Sequence, residues 1–282
     1  MISIVITAYN VAPWIEKAVE SACRQSYGKL EIIIVEDCST DDTRQKLSQI
    51  KDWRVRIIYN DINIGAGASR RKGIEAARGE YLLLLDGDDW IEPDFIEELY
   101  KKAKECDADI VSGGIMAINK DGCREGFSYG NCIVEGAEKI TRFWNEKIVF
   151  MNNKLIRREL HKRVPYCKRR FIEDTPVIIP QLFFANKVAY IDNFGYNYRM
   201  NPNSLTHTAS RFKEVLFRAL CAADLISFFE KHDKELLCSI PLAQGYAGCI
   251  DEIKECHPTK EMSEPYKDEW VEFTTGLLER LA

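Results

Sequence analysis

The chain has 282 residues, a formal net charge of -5 and 46% hydrophobic residues. These values describe an ordinary globular protein, either one large α/β domain or that domain with a smaller appendage. Lysine and arginine are scattered and the net charge is negative, which excludes nucleic acid as the main partner. No apolar run approaches the roughly 18 residues of a membrane span and no export signal opens the chain, so we expect a soluble, cytoplasmic protein.

The ten cysteines are dispersed and form no CxxC pair. Disulfides are typical of small secreted domains, and structural zinc sites need closely spaced ligand pairs. We therefore expect free thiols that serve packing, and no zinc site.

The first part of the chain alternates between short apolar runs and segments with helical periodicity. In chain order, the pattern predicts a strand at 2–6, a helix over 14–22, a strand at 31–35, a helix over 41–50, a strand at 55–59, a helix over 66–77, a strand at 81–85, a helix from about 94 to 106 and a strand at 108–112. This alternation indicates βαβ units and a parallel sheet that is buried on both faces.

Beyond about residue 115 the alternation loosens, and Gly122, Gly126, Gly130 and Gly136 punctuate short strands or loops. Helices are predicted over 137–145, 211–231 and 266–281. We place a boundary near residue 209, after which the chain forms a small helical appendage over 210–282.

Ligands of parallel sheets collect at the carboxyl ends of the strands, so polar residues that follow each apolar run are the first candidates for a site. These are Thr7, Tyr9, Glu36, Asp37, Asp61, Asn63, Asp86, Asp88 and Asp89. A cluster this acidic needs a partner, and Mg²⁺ or Mn²⁺ typically binds one or two carboxylates together with substrate phosphates.

Asp86 and Asp88 are two residues apart, so in an extended segment both side chains address the same place. Gly87 between them permits close approach of the backbone to a ligand. The alternative is a solvated turn in which Asp89 caps the next helix. The position directly after a buried strand favours the metal site.

Two interpretations of Asp37 remain open: it binds the base or ribose of a nucleotide, or it closes an Asx turn or caps the helix at 41. Gly65 and Gly67 resemble a phosphate-binding turn, but Arg70 occupies the third glycine position of G-x-G-x-x-G, which weakens a dinucleotide-binding interpretation.

Glu173 and Asp174 follow the basic stretch Lys168-Arg169-Arg170. Taken alone, they are typical of a surface acidic pair that balances the charge of those basic residues. His207 taken alone is more typical of a surface histidine than of a metal ligand.

Several segments in fixed order resemble the inverting glycosyltransferase family 2. They are Ile4-Val5-Ile6-Thr7-Ala8-Tyr9-Asn10, then Gln25-Ser26, Val35-Glu36-Asp37-Cys38-Ser39-Thr40-Asp41-Asp42-Thr43, Asn63-Ile64-Gly65 with Ser69-Arg70 and Gly73, and Asp86-Gly87-Asp88. The resemblance is close over residues 1–115. It continues loosely through Asn153-Lys154-Leu155, Phe171-Ile172-Glu173-Asp174 and Tyr196-Asn197-Tyr198-Arg199. Glu36 stands where the family has Asp, Cys38 where it has Gly, Ser69 where it has Ala and Arg71 where it has Asn.

The resemblance implies the GT-A fold, an α/β fold with a mostly parallel central sheet flanked by helices. It assigns 1–209 to the catalytic domain, with a nucleotide-sugar-binding half at 1–115 and an acceptor-side half at 116–209. By the same analogy Thr7, Tyr9, Asp37, Arg70 and Asp86 bind the donor, and Asp174 is the catalytic base with Glu173 as its alternative. Asp86 and Asp88 form the DxD motif that holds Mn²⁺ or Mg²⁺ against the diphosphate, with His207 as a third candidate ligand.

We expect a UDP-sugar as donor and a glycan or lipid-linked acceptor in polysaccharide or other glycoconjugate biosynthesis. A lipid-linked acceptor would bring the protein to the inner face of the membrane as a peripheral protein. Two alternatives remain. A nucleotidyltransferase would usually carry a glycine-rich, basic loop after its first strand, which Thr7-Ala8-Tyr9-Asn10 is not. A catalytically inactive sugar-nucleotide-binding protein would have no need to retain Asp86, Asp88 and Asp174.

Overall fold

The computed structural model describes residues 1–146, 150–164, 174–200, 209–256 and 258–281. The strands are β1 (Ile2–Ala8), β2 (Leu30–Glu36), β3 (Val55–Tyr59), β4 (Tyr81–Asp86), β5 (Trp90–Ile91), β6 (Ile110–Ser112), β7 (Ile115–Ile118), β8 (Arg124–Phe127), β9 (Cys132–Glu135), β10 (Lys154–Arg157), β11 (Lys187–Tyr190) and β12 (Tyr196–Arg199). They form an eight-stranded sheet in the order β3-β2-β1-β4-β10-β6-β11-β9 and a four-stranded sheet in the order β5-β12-β7-β8.

The large sheet is parallel from β3 through β4, as the sequence predicts. β10 then inserts antiparallel between β4 and β6, and β9 closes the far edge antiparallel to β11. The mostly parallel α/β architecture is therefore confirmed, and the central antiparallel strand is a feature that the sequence pattern does not reveal.

The helices are α1 (Ile15–Cys23), α2 (Thr43–Leu47), α3 (Ala66–Ala76), α4 (Phe95–Cys106), α5 (Glu138–Glu146), α6 (Arg158–Arg163), α7 (Thr175–Phe184), α8 (Arg211–His232), α9 (Lys234–Ser239), α10 (Leu242–Glu255), α11 (Lys260–Ser263) and α12 (Lys267–Leu281). The helix predicted over 41–50 is shorter at both ends. Asp41 precedes it and accepts a hydrogen bond from the backbone N–H of Thr43 (3.0 Å), which places the first residues of the predicted range in the turn before the helix.

Period-two alternation along the central strands builds a hydrophobic cluster on each face of the large sheet. Ile4 of β1 belongs to one cluster, which α1 and α4 cover, and its neighbour Val5 belongs to the other. The second cluster continues without interruption into α7 and α8, where Leu216 is fully buried. The C-terminal helices thus share a core with the sheet, and their separation at 209 remains a prediction.

No helix in the described ranges is both long and apolar enough to cross a membrane. The cysteines of those ranges are free thiols.

Candidate active site

The carboxyl ends of β1, β2 and β4 meet at one edge of the sheet, because the three strands are parallel neighbours. Thr7 pairs in register with Asp86, and its hydroxyl lies 3.4 Å from Asp86 Oδ1. Tyr9, two residues further along, is 46% exposed at the rim. These predicted donor-binding residues therefore lie along one edge.

Asp37 is almost completely buried and holds the loop that leads into α3. Its Oδ1 accepts hydrogen bonds from Asn60 Nδ2 (2.8 Å) and from the backbone N–H of Ile64 (2.9 Å), and its Oδ2 accepts one from the N–H of Gly65 (2.8 Å). At the start of the helix after β2, it is Asp41 whose Oδ1 accepts a hydrogen bond from the N–H of Thr43 (3.0 Å). Asp37 thus anchors the 60–65 loop in this structure, a contact that neither sequence interpretation anticipates.

Arg70 joins two carboxylates that are far apart in the sequence. Its guanidinium donates to Asp86 Oδ1 (2.9 Å) and to Asp174 Oδ1 (2.6 Å), a residue 104 positions away. The side chain of Arg70 is 7% exposed, whereas those of Asp86 and Asp174 are 28% and 25% exposed. The end of β4 and the start of α7 therefore form one site around a buried cation, and solvent reaches both carboxylates.

Asn152 completes the surroundings of Asp86 and is a site residue that the sequence analysis missed. Its Nδ2 donates to Asp86 Oδ2 (2.6 Å), so the two carboxylate oxygens have different protein partners. Asn152 directly precedes the Asn153-Lys154-Leu155 segment of the family resemblance, which was the available signal.

Gly87 allows the turn between Asp86 and Asp88 to lie close against β1. A β-carbon at this position would lie 2.8 Å from the carbonyl oxygen of Thr7, to which the Gly87 N–H donates a hydrogen bond (2.9 Å). A larger residue would therefore push the turn away from β1, and glycine keeps it against the strand.

Asp88 is a carboxyl group with a raised pKa. Desolvation, with a further contribution from the charge of Asp86, raises the pKa of Asp88 to about 6, and Arg199 and Arg70 oppose the rise. A divalent cation would favour the ionised form and offset the repulsion between the two carboxylates. Among the described residues, no three acidic, histidine or cysteine side chains lie together as a group that could hold a metal ion.

Asp89 is buried and ties the DxD turn to the small sheet. Its carboxylate accepts hydrogen bonds from the hydroxyl of Tyr196 (2.6 Å) and from the backbone N–H of Arg199 (2.8 Å). The Arg199 side chain donates to the carbonyl oxygen of Asp88 (2.9 Å) and lies over the rings of Trp14 and Trp90. Asp89 therefore orients the turn and does not cap α4, which begins at Phe95.

The structure brings together Asp86, Asp88, Arg70 and Asp174, with Thr7 beside them. Two predicted site residues, Glu173 and His207, lie outside the described residues.

The parallel strands end at carboxylates, and Arg70 of α3, the helix before β4, contacts Asp86; the sheet and its flanking helices are those of an α/β protein of the GT-A type. The family model "Glycosyl transferase family 2" matches residues 3–165, and the chain belongs to this family. It is a nucleotide-sugar-dependent glycosyltransferase, and neither the nucleotidyltransferase nor the inactive binding protein is favoured.

Among its relatives, the glycosyltransferase GlyG of Streptococcus pneumoniae is 28% identical over 287 residues, which cover 95% of this chain and 93% of GlyG. The Escherichia coli enzyme WfaP, a UDP-Glc:α-D-GlcNAc-diphosphoundecaprenol β-1,3-glucosyltransferase, is 43% identical over 90 residues, 32% of this chain and 36% of WfaP. The structure of S. aureus TarS 1-349 in complex with UDP-GlcNAc matches with a TM-score of 0.70 at 19% identity, over 89% of this chain and 72% of TarS. That match confirms the GT-A fold.

Proposed function

We propose that the protein transfers a sugar from a UDP-sugar to a hydroxyl group of a glycan or lipid-linked acceptor, with inversion, in the synthesis of a polysaccharide or another glycoconjugate. The TarS complex contains UDP-GlcNAc, and WfaP takes its sugar from UDP-Glc and acts on a diphosphoundecaprenol-linked sugar. A lipid-linked acceptor would bring this protein to a membrane surface.

The observation that carries the proposal is the contact of Arg70 with both Asp86 and Asp174. Single-displacement transfer needs a donor diphosphate and a general base on opposite sides of one reacting carbon. In this proposal Asp86, at the end of β4, lies on the diphosphate side, and Asp174, the residue before α7, lies on the acceptor side. Arg70 lies between them, and its guanidinium can stabilise the negative charge that develops on the diphosphate.

Asp86 and Asp88 would hold Mn²⁺ or Mg²⁺ against the diphosphate. When bound, the ion neutralises charge on the departing nucleoside diphosphate. Asn152 holds Oδ2 of Asp86 through its 2.6 Å hydrogen bond, while Arg70 donates to Oδ1. Asp89 and Arg199 hold the backbone of the same turn from the small sheet.

Asp174 would act as the general base that removes the proton from the acceptor hydroxyl. It is the residue before α7 and is partly exposed, so an acceptor can reach it. Its contact with Arg70 stabilises the carboxylate before substrates bind. Glu173 is the alternative base, and Tyr9 and Thr7 are proposed to line the donor pocket.

The test is Asp174→Asn, measured by isothermal titration with UDP-sugar and Mn²⁺ and by transfer rate on the same sample. Loss of a general base typically lowers the rate by about 10² to 10⁴. Donor affinity should stay within a few-fold of wild type, because Asp86 and Arg70 remain.

Asp233→Asn is the matched control, since Asp233 also precedes a helix and its side chain caps α9 through the N–H of Leu236. Near-normal turnover in Asp174→Asn together with loss in Glu173→Gln would move the base to Glu173. Normal turnover in both variants would overturn the assignment of a base in this segment.

A further inference from the structure

Phe150 and Tyr198 form an aromatic pair at the rim of the candidate site. Their ring centroids are 5.8 Å apart, with an interplanar angle of 54°. Phe150 lies before β10 and is 36% exposed, and Tyr198 lies on β12 and is partly buried. A single exposed aromatic residue is ordinary on a protein surface, so the position of the pair decides its meaning.

Phe150 is held next to Asp86 by its own segment. Asn152, two residues further on, donates to Asp86 Oδ2 (2.6 Å). The carbonyl oxygen of Phe150 accepts a hydrogen bond from the side chain of Lys154, which is buried in β10. The segment is therefore tied both to β10 and to the end of β4, which fixes the backbone that carries the Phe150 ring.

Tyr198 is tied to the DxD turn by its neighbours on β12. Side chains two residues apart on a strand lie on the same face, so Tyr198 shares a face with Tyr196, whose hydroxyl donates to Asp89 (2.6 Å). The backbone N–H of Arg199 donates to the same carboxylate (2.8 Å). The aromatic pair thus borders the turn between β4 and β5 from two separate segments.

The sheet order places the aromatic pair across β4 from the proposed nucleotide side. In the large sheet, β1 and β10 are the two neighbours of β4. Thr7 and Tyr9, which are proposed to line the donor pocket, lie at the carboxyl end of β1. Because β10 runs antiparallel to β4, the residues before β10, Phe150 among them, lie at the carboxyl end of β4 on its other side. That side is free for a second substrate.

The chemistry of an exposed ring beside the proposed base indicates what this second substrate presents. Asp174 and Asp86 share Arg70, so an acceptor that reaches Asp174 comes next to the Asp86 turn that the aromatic pair borders. The C–H bonds on one face of a pyranose carry partial positive charge, and the face of an aromatic ring carries partial negative charge, so the two attract each other and exclude water.

We propose that Phe150, supported by Tyr198, is the surface on which the acceptor's pyranose ring stacks, a role that rests on the proposed function of Asp174 as the base. Stacking on one face fixes the orientation of the sugar, so that one hydroxyl is directed toward Asp174. Phe150 is then a residue that determines which acceptor sugar, and which of its hydroxyls, is used.

The experiment compares Phe150→Leu, which keeps an apolar side chain and removes the ring, with Phe150→Trp, which keeps an aromatic ring. The acceptors are methyl β-D-glucopyranoside, methyl β-D-galactopyranoside and methyl N-acetyl-β-D-glucosaminide. The readout is UDP release with Mn²⁺ and the UDP-sugar that the wild type uses fastest. In Phe150→Leu the KM for the sugar should rise about three- to tenfold, as expected for the loss of one aromatic contact. Phe150→Trp should stay near the wild-type KM, and the Kd for UDP with Mn²⁺ should change little in either variant.

Phe127→Leu is the matched control. Phe127 is also an exposed aromatic residue, and it lies on β8, which β7 separates from β12. Its variant should keep the wild-type KM for the sugar. An unchanged KM in Phe150→Leu would overturn the proposal, and so would an equal rise in Phe150→Leu and Phe150→Trp, because the ring would then not matter.

Asp174→Asn separates this proposal from the proposed function. Sugar-dependent UDP release that is lost in Asp174→Asn but has an unchanged KM in Phe150→Leu contradicts the stacking role alone. Sugar-dependent release that is the same in Asp174→Asn as in the wild type contradicts the base assignment. No sugar-dependent release from the wild type with any of the three acceptors contradicts both.

Discussion

Asp37→Asn tests whether the buried hydrogen bonds of Asp37 shape the donor site. In the less costly orientation the new amide keeps its oxygen toward Asn60 and Ile64 and turns its NH₂ group toward the N–H of Gly65. One buried N–H then loses its acceptor, at a cost of about 1–3 kcal/mol, and the two remaining bonds lose their charge assistance. We expect a total destabilisation of about 3 kcal/mol, or roughly 6–10 °C in melting temperature.

Donor binding should weaken as well, because Gly65 directly precedes α3, the helix that carries Arg70. We expect the Kd for UDP-sugar with Mn²⁺ to rise about tenfold, which corresponds to about 1.4 kcal/mol. Urea unfolding followed by circular dichroism gives the stability, and isothermal titration gives the affinity. Asp61→Asn is the matched control, since it makes the same change of charge on an exposed side chain of the same loop.

An unfolding free energy within about 0.5 kcal/mol of wild type would refute the anchoring role of Asp37. Weaker donor binding with unchanged stability would instead indicate that Asp37 contacts the nucleotide directly. One pair of measurements thus separates the anchoring role seen in the structure from direct nucleotide binding, the first of the two interpretations that the sequence leaves open.

Three further changes follow from the structure. Asp88→Asn should raise the free energy of unfolding of the metal-free protein at pH 7.5 by about 1–2 kcal/mol and abolish the Mn²⁺-dependent thermal shift. The pKa of Asp88 in the folded state, about 6, exceeds its value in the unfolded state, so the wild type loses stability as the pH rises through 6, and the uncharged Asn avoids this loss. Lower stability in urea at pH 7.5 would contradict this. Cys38→Gly should raise the melting temperature by about 1–3 °C, because Cys38 has φ 61° and glycine removes that strain at a smaller entropic cost; a fall on calorimetry would contradict it. Leu216→Ala should lower the free energy of unfolding by about 2–5 kcal/mol, and urea unfolding should remain one cooperative transition, because Leu216 shares a core with Val5. Two transitions would show that residues 210–282 unfold separately.

The elements that sequence analysis predicts best are those with a strong local signal. The strand at 55–59 has the predicted bounds, and the helix predicted over 211–231 extends to His232. Asp86 and Asp88 were recognisable because they follow a five-residue apolar run. Such a run shows from the sequence alone where the carboxyl end of a strand lies, and ligands of parallel sheets bind at that end.

The parts that escaped prediction depend on contacts between distant segments. β10 has four residues, and nothing in its sequence shows that it runs antiparallel between β4 and β6. Asn152 becomes a partner of Asp86 through that insertion, across 66 residues of sequence. Asp89 would cap a helix under the alternative to the metal site, yet its partners lie more than 100 residues away, on β12.

The charges around the site explain why a cation should accompany the donor. Asp86, Asp88 and Asp174 face two guanidinium groups, those of Arg70 and Arg199, and both lower the pKa of Asp88 without restoring it to its usual range. A nucleoside diphosphate adds further negative charge, while Arg70 is already paired with two carboxylates and the Arg199 side chain donates to the carbonyl oxygen of Asp88. A divalent ion that enters with the diphosphate makes the addition nearly neutral. We therefore expect removal of the metal to lower donor affinity more than replacement of any single basic residue, Arg70 included.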